Sequence, residues 1–274
     1  MRGIVPYPSR RLPLKLLWMT VAIILCVTAI PSAATTAERP ALPPDLVYLR
    51  DVDPTIIQDI RYATKNNFTG QPVTGYEAAE CLLKKSAATA LARVQNDLKV
   101  QSMSLMVYDC YRPQRAVSAL VAWTRDLSES RASERFHPRL SKSQLLAQGY
   151  IASRSNHSRG VAVDAALVRL PPPDPGAFDP GKQYEECADQ KDKRAPDPSI
   201  DFGTGFDCFD SKSHTDAKRV TNDQTRARAK LVAAMAKHGF ANYKREWWHF
   251  TFGADDTGRS FDVPVSSHME RAKN

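Results

Sequence analysis

Long apolar runs are scarce in this chain of 274 residues. The longest, over residues 16–30, has about 15 residues and falls short of the ~20 that a membrane-spanning helix needs. Acidic residues are absent from the first 34 positions, which hold Arg2, Arg10, Arg11 and Lys15; without that segment the formal charge drops from +8 to +4. The rest of the chain has no clustered basic face, so a nucleic-acid partner is excluded and the excess charge points to targeting. No internal repeat recurs, which excludes a solenoid. With 42% hydrophobic and 25% charged residues, collagen-like, coiled-coil and wholly disordered chains are also excluded. Cysteine is sparse, at five, and H-E-x-x-H is absent, so a zinc site of that helical type is not expected.

What stands at the N-terminus reads as an address. A basic start, a short apolar run and the small residues Ser32, Ala33 and Ala34 after Pro31 make a cleaved secretory signal over residues 1–34. Bulky Leu25 before Cys26 argues against a lipoprotein. The expected order is this signal, an N-terminal extension over 35–50 and one domain over 51–274. The mature protein works in the periplasm or outside the cell, with no stable membrane insertion. Its four cysteines, Cys81, Cys110, Cys187 and Cys208, form two disulfides in such a compartment. Three pairings are open.

The body reads as an α+β domain with a small, mainly antiparallel sheet flanked by helices. Leu83, Ala87, Leu91, Val94 and Leu98 recur at helical spacing and predict an amphipathic helix over 82–98. A second starts at Pro113 and carries Val117, Leu120, Val121 and Leu127. A short third is expected over 141–149. The fourth, over 221–238, has Thr221 as N-cap, a stripe of Leu231, Val232 and Met235, and Gly239 at its C′ position. Strands are expected over 104–108, 160–168 and 247–252. Residues 170–199, with seven prolines and no periodic apolar face, read as a long surface loop tethered at Cys187 that is either passive or lies over the active site.

Three places carry chemistry. In Ser155-Asn156-His157-Ser158-Arg159-Gly160-Val161-Ala162-Val163-Asp164 an imidazole in a polar turn precedes a strand ending in a carboxylate, and both are good Zn²⁺ ligands. Glu246-Trp247-Trp248-His249 adds a second imidazole, a second carboxylate and two rings that can exclude water. A zinc enzyme needs three protein ligands, an open position and a base; His157, Asp164, His249 and Glu246 complete that inventory. In a regular strand Glu246 and His249 point to opposite faces, so the strand must bulge or begin after Glu246. In Tyr108-Asp109-Cys110-Tyr111-Arg112-Pro113, Arg112 sits where a strand gives way to a helix and can stabilise an oxyanion or bind a carboxylate.

The ordered set D-x-Y-R-P, S-x-H-S-R-G-x-A-x-D, F-G-x-x-F-D and E-W-W-H, with Ile60-Arg61-Tyr62-Ala63-Thr64 and Asn67-Phe68-Thr69-Gly70 upstream, resembles the zinc D-alanyl-D-alanine dipeptidases of the VanX type (peptidase family M15), relatives of the D,D-carboxypeptidases. The resemblance spans about residues 51–264 and implies a hedgehog/D,D-peptidase-like fold with its zinc site in a cleft on the sheet. It implies one Zn²⁺ on His157, Asp164 and His249, with Glu246 as catalytic base and acid and Arg112 as oxyanion stabiliser. Asp207 would anchor the ammonium of the substrate D-Ala-D-Ala, Ser155 would touch the substrate, and Tyr62 would line the pocket. Two alternatives stand beside the dipeptidase: a D,D-carboxypeptidase or endopeptidase acting on peptidoglycan stems, and a non-catalytic zinc-binding wall module. The proline-rich stretch is longer than in the compact dipeptidases.

Overall fold

The computed structural model describes Gly3 and residues 41–126, 128, 130–253 and 258–271. The expected signal, Gly3 apart, and residues 35–40 lie outside them, as does Leu127.

A five-stranded sheet organises the body, in the order β2 (Ile57–Gln58), β4 (Met103–Asp109), β5 (Ala162–Arg169), β7 (His249–Phe252), β6 (Phe240–Asn242). Only the short β2–β4 pair is parallel. A separate antiparallel pair joins β1 (Leu46–Tyr48) to β3 (Leu82–Lys84). β1 thus falls inside the stretch expected as an extension. The fold is the α+β domain expected, with helices flanking mainly antiparallel sheets. β4 is buried along its whole length and β5 nearly so, which is why both read as apolar runs without alternation.

Helices match their periodic segments, with shifts at the ends. The first is Lys85–Lys99, because buried Leu82 and Leu83 pair with β1 as strand. Gln95 sits in its buried stripe and is stitched to β4: its Oε1 accepts from Leu105 N at 2.8 Å and its Nε2 donates to Ser104 Oγ at 2.9 Å. A buried amide is tolerable when both ends are bonded. Pro113 stands one place before the helix Gln114–Arg125 as its N-cap. The expected third helix shrinks to Gln144–Ala147. The fourth, Asn222–Ala236, opens with a capping box in which Thr221 Oγ1 accepts from Gln224 N and Gln224 Oε1 accepts from Thr221 N.

That last helix also buries Arg228 beside Leu231 and Met235. Arg228 donates to the carbonyls of Phe202, Lys212 and His214 at 2.6–2.9 Å, tying down the segment that carries Asp207. Arg228→Met keeps the length of the side chain but strands three acceptors. It is expected to lower stability by about 3 kcal/mol in urea unfolding, and an unchanged midpoint would rule out this role.

Residues 170–199 contain no helix or strand, as expected of a loop. The loop is pinned by the Cys187–Cys208 disulfide and by Asp197, which accepts from Arg61 Nη2 and Tyr108 Oη, both at 2.8 Å. The second disulfide joins Cys81 to Cys110. These contacts select one pairing from the three that were open. No helix among the described residues is long and apolar enough to cross a membrane.

Candidate metal and active site

The site is built on one row across the sheet. Between Val107 and Asp109 the β4–β5 register shifts, so Asp109 and not Tyr108 lies opposite Asp164; Asp164 in turn lies opposite His249 on β7. A bulge re-aims side chains in this way, one extra residue displacing all that follow. His157 joins from the 3₁₀ turn Asn156–Arg159, where Ser155 Oγ accepts from His157 N at 3.2 Å. The turn closes at Gly160 with φ +72°, where a Cβ would stand 2.5 Å from Leu46 Cδ2. Only glycine fits there.

His157 donates from Nδ1 to the Cys110 carbonyl at 2.6 Å, which turns its Nε2 toward the other donors. His157 Nε2 lies 3.1 Å from His249 Nδ1 and 3.4 Å from Asp164 Oδ1, and His249 Nδ1 lies 2.9 Å from Asp164 Oδ1. Ligands at ~2.0–2.1 Å from a tetrahedral ion stand about 3.3 Å apart. The triangle therefore fits one metal ion, and its two imidazoles and one carboxylate suit zinc. Burial alone would raise the Asp164 carboxyl, but His157 and His249 hold it below the usual carboxylate range. Burial keeps the His249 imidazole neutral by lowering its pKa, against the pull of Asp164. These are the charge states in which the two groups ligate.

Glu246 lies in the turn before β7, so the strand begins after it and the difficulty of opposite faces disappears. Its Oε2 is 3.9 Å from His249 Nδ1. Burial, with Asp164 and Asp207 nearby, pushes its carboxyl well above the usual range. Arg112 is held by two bonds to Asp109 Oδ2, at 2.9 and 2.7 Å, and its guanidinium stands 4.9 Å over the Tyr62 ring and 3.7 Å from Asp164 Oδ2. The Tyr62 hydroxyl donates to Asp207 Oδ2 at 2.9 Å. Asp207 has φ +55°, a left-handed conformation rare outside glycine and characteristic of constrained sites. Burial and the Asp164 charge push its carboxyl up. All eight residues singled out in the sequence line one cleft of about 250 Å³.

Against known proteins, the family described as D-ala-D-ala dipeptidase (Peptidase_M15) matches residues 44–177 and 194–268. The chain belongs to this family. A D-alanyl-D-alanine dipeptidase of Streptomyces coelicolor is 32% identical over 81% of this chain and 98% of its own length. One of Enterococcus faecium is 32% identical over 76% and 91%, and one of Escherichia coli K12 is 30% identical over 75% and 83%. The internal stretch that the Peptidase_M15 match leaves out, 178–193, falls in the middle of the proline-rich loop. No residue of 170–199 lines the cleft, so the loop does not lie over it.

One feature of this family member was not read from its sequence. Asp109 is fully buried behind the site, bonded to Arg112 and to Tyr76 Oη at 2.5 Å, with His157 Nδ1 at 3.4 Å. The available signal was an acid ending an apolar strand three residues before Arg112. The tryptophans are the correction: neither ring lines the cleft. Trp247 stacks on Phe202 at 4.0 Å and donates to Thr204 Oγ1, and Trp248 packs edge-on to Phe206. Both rings hold the Asp207 segment against the core.

Proposed function

We propose that the protein is an exported zinc dipeptidase that hydrolyses D-alanyl-D-alanine to two D-alanines in cell-wall peptide turnover. The observation that carries this reading is the meeting, in one small cleft, of the His157–Asp164–His249 triangle, a buried high-pKa Glu246 and a separate buried carboxylate, Asp207. The names of the relatives support the substrate. Two disulfides support an oxidising compartment.

His157, Asp164 and His249 would hold the ion. When bound, zinc supplies Lewis acidity, polarising the scissile carbonyl and bringing the pKa of water to about 7. Glu246 takes a proton from the attacking water and returns it to the leaving amine as the C–N bond breaks. Arg112, fixed by Asp109, faces the charge that develops on the carbonyl oxygen. Asp207, held by Tyr62, pairs with the substrate ammonium, and Ser155 contacts the substrate from the rim of the turn. A base and an oxyanion donor are superfluous in a non-catalytic zinc module.

The test is to incubate the protein with D-Ala-D-Ala and with a stem pentapeptide, with and without chelator. D-Alanine is expected from the dipeptide alone and only without chelator. Comparable release from the pentapeptide would make the protein a D,D-carboxypeptidase instead. Asp207→Asn is expected to raise KM for D-Ala-D-Ala by roughly 10-fold or more, since a buried charge pair loses one partner. An unchanged KM would place the ammonium elsewhere.

A further inference from the structure

A dipeptide is a zwitterion, and the proposed reading accounts for only one of its charges. Besides the ammonium it carries a terminal carboxylate into a cleft already lined by Asp164, Asp207 and Glu246. Asp164 belongs to the metal triangle and Asp207 to the ammonium, so none of these acids can receive that carboxylate, which needs a cation of its own.

Apart from the histidines, the cleft has two basic side chains, Arg112 and Arg154. Arg112 is committed, with both Nε and Nη2 bonded to Asp109. Of the neutral polar groups of the wall, Ser155 offers a hydroxyl but no charge, and the others are engaged. Asn156 donates to Thr251 Oγ1 and accepts from Arg159, Tyr150 Oη pairs with His214 Nε2, and Tyr243 Oη donates to the Gly149 carbonyl. Arg154 is different. Its side chain is exposed at the cleft, and among the described residues no carboxylate, carbonyl or ring engages its guanidinium. Its backbone is nonetheless registered to the metal triangle, because it immediately precedes Ser155, whose Oγ accepts from His157 N.

We infer that Arg154 is the specificity residue that binds the substrate's terminal carboxylate, an assignment that rests on the dipeptidase reading. A guanidinium presents parallel N–H donors that match a carboxylate in two bonds. With Asp207 on the ammonium and Arg154 on the carboxylate, the cleft measures the substrate at both ends. It thereby selects a free dipeptide over a chain extended at either terminus.

The experiment compares the native protein with Arg154→Met and Arg154→Lys on D-Ala-D-Ala and on its C-terminal amide. Being exposed, Arg154 can be replaced without disturbing the core. For the native protein, KM should be roughly 10-fold lower for the acid than for the amide. R154M should raise KM for the acid about as much with little change in kcat, leave the amide unchanged, and be partly rescued in R154K. Equal losses on acid and amide, or no loss on either, would overturn the assignment while leaving the dipeptidase reading in place. No turnover of either compound by the native protein would remove both.

Discussion

Glu246→Gln is expected to keep the metal and lose the reaction, with kcat falling by about 10²–10⁴-fold. Glutamine preserves the shape of the side chain and its hydrogen-bonding reach, so the turn between β6 and β7 should fold as before. What disappears is the ability to take and return a proton. Glu246 is suited to that exchange because burial beside Asp164 and Asp207 makes its carboxyl a stronger proton acceptor than an exposed glutamate. Its Oε2 stands 3.9 Å from His249 Nδ1, and among the described residues the donor atoms that gather closely enough to share one ion are those of His157, Asp164 and His249, without Glu246. Metal content measured on the purified variant should therefore equal that of the native protein. Retained turnover would remove Glu246 from the chemistry, and lost metal would make it a ligand.

His249→Ala is expected to lose both. Removing an outer partner of a ligand costs about 10–100-fold in metal affinity, and removing a ligand costs more. The two donors left, His157 Nε2 and Asp164 Oδ1, stand 3.4 Å apart and no longer enclose an ion from three sides. Metal per chain should fall to background after dialysis, and D-Ala-D-Ala hydrolysis should become undetectable. Chelation should reproduce that loss in the native protein, and added zinc should reverse it there but not in the variant. A variant that still binds zinc stoichiometrically would place the ion elsewhere. Together the two variants separate holding the metal from using it.

The helices over 85–99, 114–125 and 222–236 were legible because their determinants are local: apolar residues at helical spacing, Pro113 at an entry, Thr221 and Gln224 closing a box. Strands β1, β2 and β6 were not. Each has two or three residues, too few for a pattern, and exists because a neighbour supplies its hydrogen bonds. Arg228 was equally hidden, since the carbonyls that justify burying it come from a different segment.

The sequence by itself determined the chemistry available: two imidazoles and the carboxylates in ordered motifs, a family resemblance, and an even set of four cysteines beyond the apolar segment. Tertiary structure alone decided which atoms meet. His157 and His249 are 92 positions apart, and their contact depends on strand register and on a bulge that brings Asp109 level with Asp164. It also decided that β7 begins after Glu246, that the tryptophans serve the core, and that Cys81 pairs with Cys110. The reason is physical. Side-chain type and local periodicity are properties of single residues and short windows, whereas a metal triangle is a set of distances between segments that only packing brings together.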